Sequence, residues 1–210
     1  MNSEIESVRQ SGPQAGLDAG TWATAVETYR NRYSFIAVGP RVHEEWLPDV
    51  AAVMRREVTD PRGWRGRDPE RGDEELEEEL AEELAEDPAF PFRVPPTSET
   101  GDAQWRSRLF GIPRSAVVRL LVMLATDVMD VSRQHGFADR RPGMEEHAQV
   151  ILSRFPEGSR FLTNTRHGDD HPDFYERVTG CWPMTRYAWD FGLVAVSRAE
   201  VGLIWSFDAS

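Results

Sequence analysis

The chain has 210 residues, enough to bury the core of one domain, and 40% of them are hydrophobic, with seven Trp and ten Phe. Its formal charge is −12, but ten of its 36 acids stand in residues 73–87, "DEELEEELAEELAED"; the other 26 face 24 basic residues, so bulk binding to nucleic acid or to an anionic membrane is not expected. A single cysteine, Cys181, excludes an internal disulfide framework.

Every basic residue is an arginine, a bias expected of a GC-rich bacterial genome, and each supplies a planar guanidinium that can pair bidentately. The longest strongly apolar run, near Val117–Leu124, is too short to span a bilayer, and the first twenty residues carry no basic start followed by an apolar stretch. A cytoplasmic protein is the expectation.

Residues 1–20 read as a disordered tail, rich in Gly, Ser, Pro and Gln. "TWATAVETYRNR" follows as a helix with Thr21 as N-cap, and "YSFIAVG" as a strand stopped at Gly39-Pro40. "WLPDVAAVMRREV" is a second helix with Pro48 in its first turn, and "DPRGWRGRDPERG" a loop that starts with a turn anchored by Trp64. In the acidic run, Leu76, Leu80 and Leu84 form a narrow apolar stripe on a helix. Its i,i+4 glutamates, such as Glu75–Glu79, each cost roughly 0.2–0.5 kcal/mol, so the helix needs a surface to dock on. "FPFRVPPTSETGD" then reads as an exposed, extended linker.

The strongest helical period lies in residues 114–136. Val117, Leu120, Leu121, Leu124, Val128 and Val131 share an arc of about 100°, with Gly136 offered as C-cap. "GMEEHAQVILSRF" predicts a shorter helix, "SRFLTN" a strand and "PDFYERVTG" a helix closed by Gly180. The chain finishes in "YAWDFGLVAVS" and "VGLIWSFD", a hairpin of strands apolar enough to be buried.

Chemistry is concentrated in "NTRHGDDHPDF". Asp170, Pro172 and Asp173 have the spacing of a helix start with a capping acid. That leaves His167, Asp169 and His171 as candidate ligands for zinc, manganese or iron converging from a loop, the competing expectation being that they face water. His135 falls on the apolar side of the 114–136 wheel, either as a half-buried histidine serving the helix terminus or as a further ligand. Asp127 borders the same face, where pairing with an arginine is expected. Cys181, in "GCWPM", is read as a small buried hydrophobe, with a nucleophilic role as the alternative. No Gly-rich phosphate loop, G-x-S-x-G, H-E-x-x-H or paired CxxC is present.

These observations predict an α+β domain over 21–208: a central amphipathic helix on a small mixed sheet with a C-terminal hairpin, and a charged, partly mobile helical insertion at 62–104. The function expected is non-catalytic, an immunity-like or accessory factor that presents Glu75, Glu78, Glu79, Glu82 and Glu83 and an aromatic surface to a basic protein partner. The acidic run could instead be neutralised in cis by Arg55, Arg56, Arg62, Arg65, Arg67 and Arg71. The alternative function is a metal-dependent enzyme, a hydrolase or small-molecule tailoring type, with its ligands in the 167–173 loop. No cofactor is firmly implied; a divalent metal is the one left open.

Overall fold

The computed structural model describes residues 17–29, 33–67, 85–127, 129–165 and 172–208. Asp18 caps helix α1 (Ala19–Val26) by accepting from the Thr21 amide and hydroxyl, so the N-cap lies three residues before the expected Thr21. A single 3-10 turn (Glu27–Tyr29) leads toward strand β1 (Tyr33–Pro40), and α2 (Leu47–Met54) carries Pro48 in its first turn as expected. Helix α3 (Glu99–Arg108), strand β2 (Phe110–Ile112), helix α4 (Arg114–Leu124) and helix α5 (Phe137–Ser153) follow. Strands β3 (Arg160–Thr163), β4 (Asp190–Val196) and β5 (Glu200–Phe207) close the fold.

The strands form one sheet in the order β1-β5-β4-β3-β2. Every neighbouring pair is antiparallel, where a mixed sheet was expected. The α+β class and the C-terminal hairpin are as predicted. In the hairpin turn Ser197 Oγ accepts from the Ala199 and Glu200 amides. Side-chain alternation sends Ile36, Val38, Phe161, Phe191, Leu193 and Ile204 to a face covered by α1, α4 and α5. Phe35, Leu162, Val194, Leu203 and Trp205 go to the other face, under α2 and α3. All residues of β4 and β5 are buried, which is why both strands read as continuous apolar runs. Gly192 is required by this packing: a Cβ there would meet the Trp205 ring at 2.0 Å.

Three further expectations are overturned. The "FPFRVPP" segment is core: Phe92 is fully buried and meets Phe35, Trp105 and Trp205 at centroid distances of 5.4, 6.0 and 5.5 Å. Arg56 holds it there, donating to the carbonyls of Pro88 (2.7 Å) and Phe90 (3.1 Å), and the "SETGD" that follows starts α3, with Ser98 accepting from the Gly101 amide. The second correction is the 114–136 helix, which stops at Leu124. Its last carbonyls are taken by side chains: Tyr29 Oη donates to Leu121 O, Thr126 Oγ1 to Met123 O and Ser206 Oγ to Leu124 O. Met129 turns the chain with a left-handed φ of 53°, and Gly136, at φ 64°, precedes α5 and does not cap α4. α5 in turn runs through Pro142 and is the longer of the two. Third, "PDFYERVTG" is not a helix. Asp173 makes one local turn, accepting from the Tyr175 amide at 3.0 Å, and Phe174 is drawn into the core beneath it.

Two buried polar centres tie the layers together. Arg154 has no exposed side-chain surface and is bidentate to both Asp60, at 2.5 and 2.6 Å, and Glu200, at 3.1 and 2.8 Å. Its guanidinium also lies 4.9 Å from the Trp22 ring and 5.3 Å from Trp64, so it joins α5, β5 and the turn after α2. That turn is the one expected at Trp64: the Gly63 amide donates to Asp60 O at 2.8 Å. At the other end of the sheet Asp190 accepts from Asn164 Nδ2, the Met184 and Thr185 amides, Thr185 Oγ1 and Trp205 Nε1. Burial raises the Asp190 carboxyl above its usual value, and these donors oppose the shift.

Candidate functional site

The register places the end of β3, the start of β4 and the end of β5 at one edge of the molecule, with Thr163 opposite Leu193 and Asp190 opposite Phe207. α4 ends there too, because its last carbonyl is bonded to Ser206. The loop between α4 and α5 and the long connection from β3 to β4 therefore share one end of the fold. His135, Asp127 and Cys181 all lie on these two connections.

They are not gathered into one reactive centre. His135 is exposed, because the helix whose wheel placed it on an apolar face ends eleven residues earlier. Asp127 is exposed as well and is paired with Gln134, not with an arginine: its amide donates to Gln134 Oε1 at 3.0 Å. Cys181 is partly buried and packs against the helix-side core, as a small hydrophobe would. Burial pushes its thiol up to about 11, against a hydrogen bond from the Asp190 amide, so it is protonated near neutrality and a poor nucleophile. His167, Asp169 and His171 lie outside the described residues, between Thr165, which bridges to Cys181, and Pro172. Asp170 lies outside them too, while Asp173 is engaged by Arg119 at 2.8 Å. Among the described residues no three His, Cys, Asp or Glu side chains approach as metal ligands would.

The same end carries the aromatic surface. Trp189 is 49% exposed and Trp182 is 40% exposed, high values for the largest side chain in the sequence. Trp189 and Phe191 wall a small cleft of about 170 Å³ whose rim holds Asp130, Arg133, Arg177 and Asp208. Arg177 is only 4.0 Å from Asp130 and is itself 77% exposed, so the rim is polar and solvated.

Glu75, Glu78, Glu79, Glu82 and Glu83 also fall outside the described residues, but both flanks of the acidic run are fixed. On the N-terminal side the Arg67 carbonyl accepts from the Ile36 amide at 2.6 Å, holding the chain against β1. On the C-terminal side Asp87 pairs with Arg186 at 3.1 Å and caps the Ala89 amide, next to the Pro88 carbonyl held by Arg56. Of the six arginines expected to neutralise the run, three have partners among the described residues. Arg55 pairs with Glu57 at 2.6 Å, Arg56 clamps the Pro88 and Phe90 carbonyls and stacks on Phe35, and Arg62 lies over Trp64 at 5.0 Å.

Comparison with protein-family models, with curated proteins and with solved structures finds no match to this chain. No described helix is long and apolar enough to cross a membrane.

Proposed function

We propose that this protein is a non-catalytic, immunity-like or accessory binding factor that engages a basic protein partner through the acidic run 73–87, with the Trp182–Trp189 end as a second, aromatic contact. The observation that carries the reading is the placement of the flanking arginines. Arg55, paired with Glu57, and Arg62, laid over Trp64, each have a partner close by in the chain, which favours a counter-charge supplied in trans over neutralisation in cis by these two. The pinned flanks favour it further, since a segment held at both ends loses less freedom on binding than a free tail. Exposed tryptophans are the side chains that most often anchor protein interfaces.

The test replaces Glu75, Glu78, Glu79, Glu82 and Glu83 with glutamine in the full chain. Partners are captured from the source cell, purified, and rebound to the wild type and to the variant at several salt concentrations. The reading expects a stoichiometric partner with a basic surface, bound about tenfold or more weakly by the variant and with a shallower salt dependence. Equal binding by both proteins would remove the acidic run from the interface. Stoichiometric zinc, manganese or iron in tag-free protein, lost on His167→Ala and His171→Ala, would favour the metal-dependent alternative.

A further inference from the structure

An arginine-rich region lies on the helical face, between α4 and α5. Arg114, Ser115 and Arg119 from α4, with Arg141, Glu145 and Gln149 from α5, line a cleft of about 550 Å³. That volume falls within the range of roughly 300–1,000 Å³ typical of small-molecule sites. Three guanidinium groups meet one carboxylate among the described lining residues, and two more carboxylates, Asp173 and Glu157, pair with Arg119 at 2.8 Å and Arg114 at 4.0 Å from outside the lining.

Each arginine is held in place by an aromatic ring. Arg114 lies 5.6 Å from the Phe161 centroid and donates to the carbonyls of Phe155 and Leu152. Arg119 and Arg141 lie 5.3 and 4.9 Å from the ring of Tyr175. The lone lining carboxylate is already engaged, because Glu145 Oε1 accepts from Tyr175 Oη at 2.6 Å and from Arg141 Nε at 2.9 Å. Arg119 gives one contact to Asp173 and Arg141 one to Glu145. A guanidinium has five N–H donors, so both retain donors for a further acceptor. Stacking fixes these long side chains before any ligand arrives, which lowers the ordering cost of binding. The first turn of α4 contributes Arg114 and Ser115 to the lining and has no side-chain cap, its Ala116 amide donating to the Pro113 carbonyl at 2.9 Å.

We infer that this cleft binds a small phosphate-bearing molecule, with Arg119 and Arg141 as the principal phosphate ligands and Arg114 and the first turn of α4 as support. Planar donors that can grip two oxygens at once suit a phosphate better than a single carboxylate. The near neutrality of the body outside the acidic run favours a small ligand over nucleic acid. This inference is independent of the acidic run and its partner.

Isothermal titration with inorganic pyrophosphate, at constant ionic strength and on the full chain, tests it. The expected result is saturable one-to-one binding with Kd below about 1 mM. Arg141→Gln and Arg119→Gln should each weaken binding about tenfold or more, while Glu145→Gln tightens it by removing the cleft's carboxylate. Arg177→Gln, in the separate cleft beside Trp189, should leave binding unchanged and serves as the control. The ion pairs of Arg141 with Glu145 and of Arg177 with Asp130 are surface contacts, so their variants keep the fold, and thermal melting verifies it. Absence of saturable binding, or equal affinity in Arg141→Gln, Arg119→Gln and wild type, overturns the assignment.

Discussion

Arginine does two different jobs on the helical side of this fold, and burial separates them. Arg154 has no exposed side-chain surface and meets two carboxylates bidentately beside two stacked tryptophans, so its charge is used inside the protein. Arg114, Arg119 and Arg141 are 34–46% exposed, rest on Phe161 or Tyr175, and line a cleft with donors to spare. A cation enclosed by its partners is a structural joint; one stacked at a concave surface is preorganised for something that arrives from solvent. Sequence alone gives the two kinds the same letter.

That contrast predicts a graded series of effects. Arg154→Ala should be the most damaging, about 3–5 kcal/mol, because it strands Asp60 and Glu200 as buried charges. Chemical denaturation would measure it, and a loss below about 1 kcal/mol would mean that the centre is not the joint described. Arg114→Ala is intermediate, about 1–2 kcal/mol, since it releases the carbonyls of Leu152 and Phe155 at the end of α5 from a partly exposed guanidinium. Arg141→Gln should leave the melting midpoint essentially where it is, because its pair with Glu145 is a surface i,i+4 contact. A substantial fall in Tm would move Arg141 from the binding class into the structural one.

The smallest effect is on acid stability. The hydrogen bond from Tyr175 holds the Glu145 carboxyl below its usual range against the opposing effect of burial, with Arg141 adding to the lowering. A carboxyl depressed in the folded state contributes stability above its unfolded value of 4.5 and loses it as the pH falls through the folded one. Glu145→Gln should therefore lose this small contribution at pH 7 and flatten the loss of stability below about pH 4.5, so that the two proteins converge in acid. An unchanged acid limb would show that the Tyr175–Glu145 contact contributes no measurable linkage.

The elements whose own residues determine them were readable in advance. β1 alternates under its aromatic and β-branched residues, β4 and β5 are apolar throughout because they are sandwiched, and Pro48 suits the start of α2. What failed depends on partners distant in the chain. Nothing in "ATDVMDVSRQHG" announces that Tyr29 and Ser206, 92 and 82 residues away, will take the carbonyls that end α4. Phe92 looks like linker because Pro91 and Pro95 surround it, yet it is fixed by Trp105 and Trp205. The candidate residues show the same limit. Cys181 was legible as a small hydrophobe, whereas His135 was misplaced by extending a helical wheel past the helix. The arginine cleft went unseen because its members come from two helices and its organising ring, Tyr175, from a segment read as a third. Arginines spaced along amphipathic helices look like an ordinary solvated face, so only the aromatic rings beneath them could have drawn notice.

The central functional claim is that the acidic run meets its counter-charge in another protein. The most direct measurement is the affinity of the purified partner for wild type and for the variant with Glu75, Glu78, Glu79, Glu82 and Glu83 changed to glutamine, across a salt series. The account predicts about a tenfold or greater loss at low salt that narrows as ionic strength rises. Identical affinities at every salt concentration would contradict it.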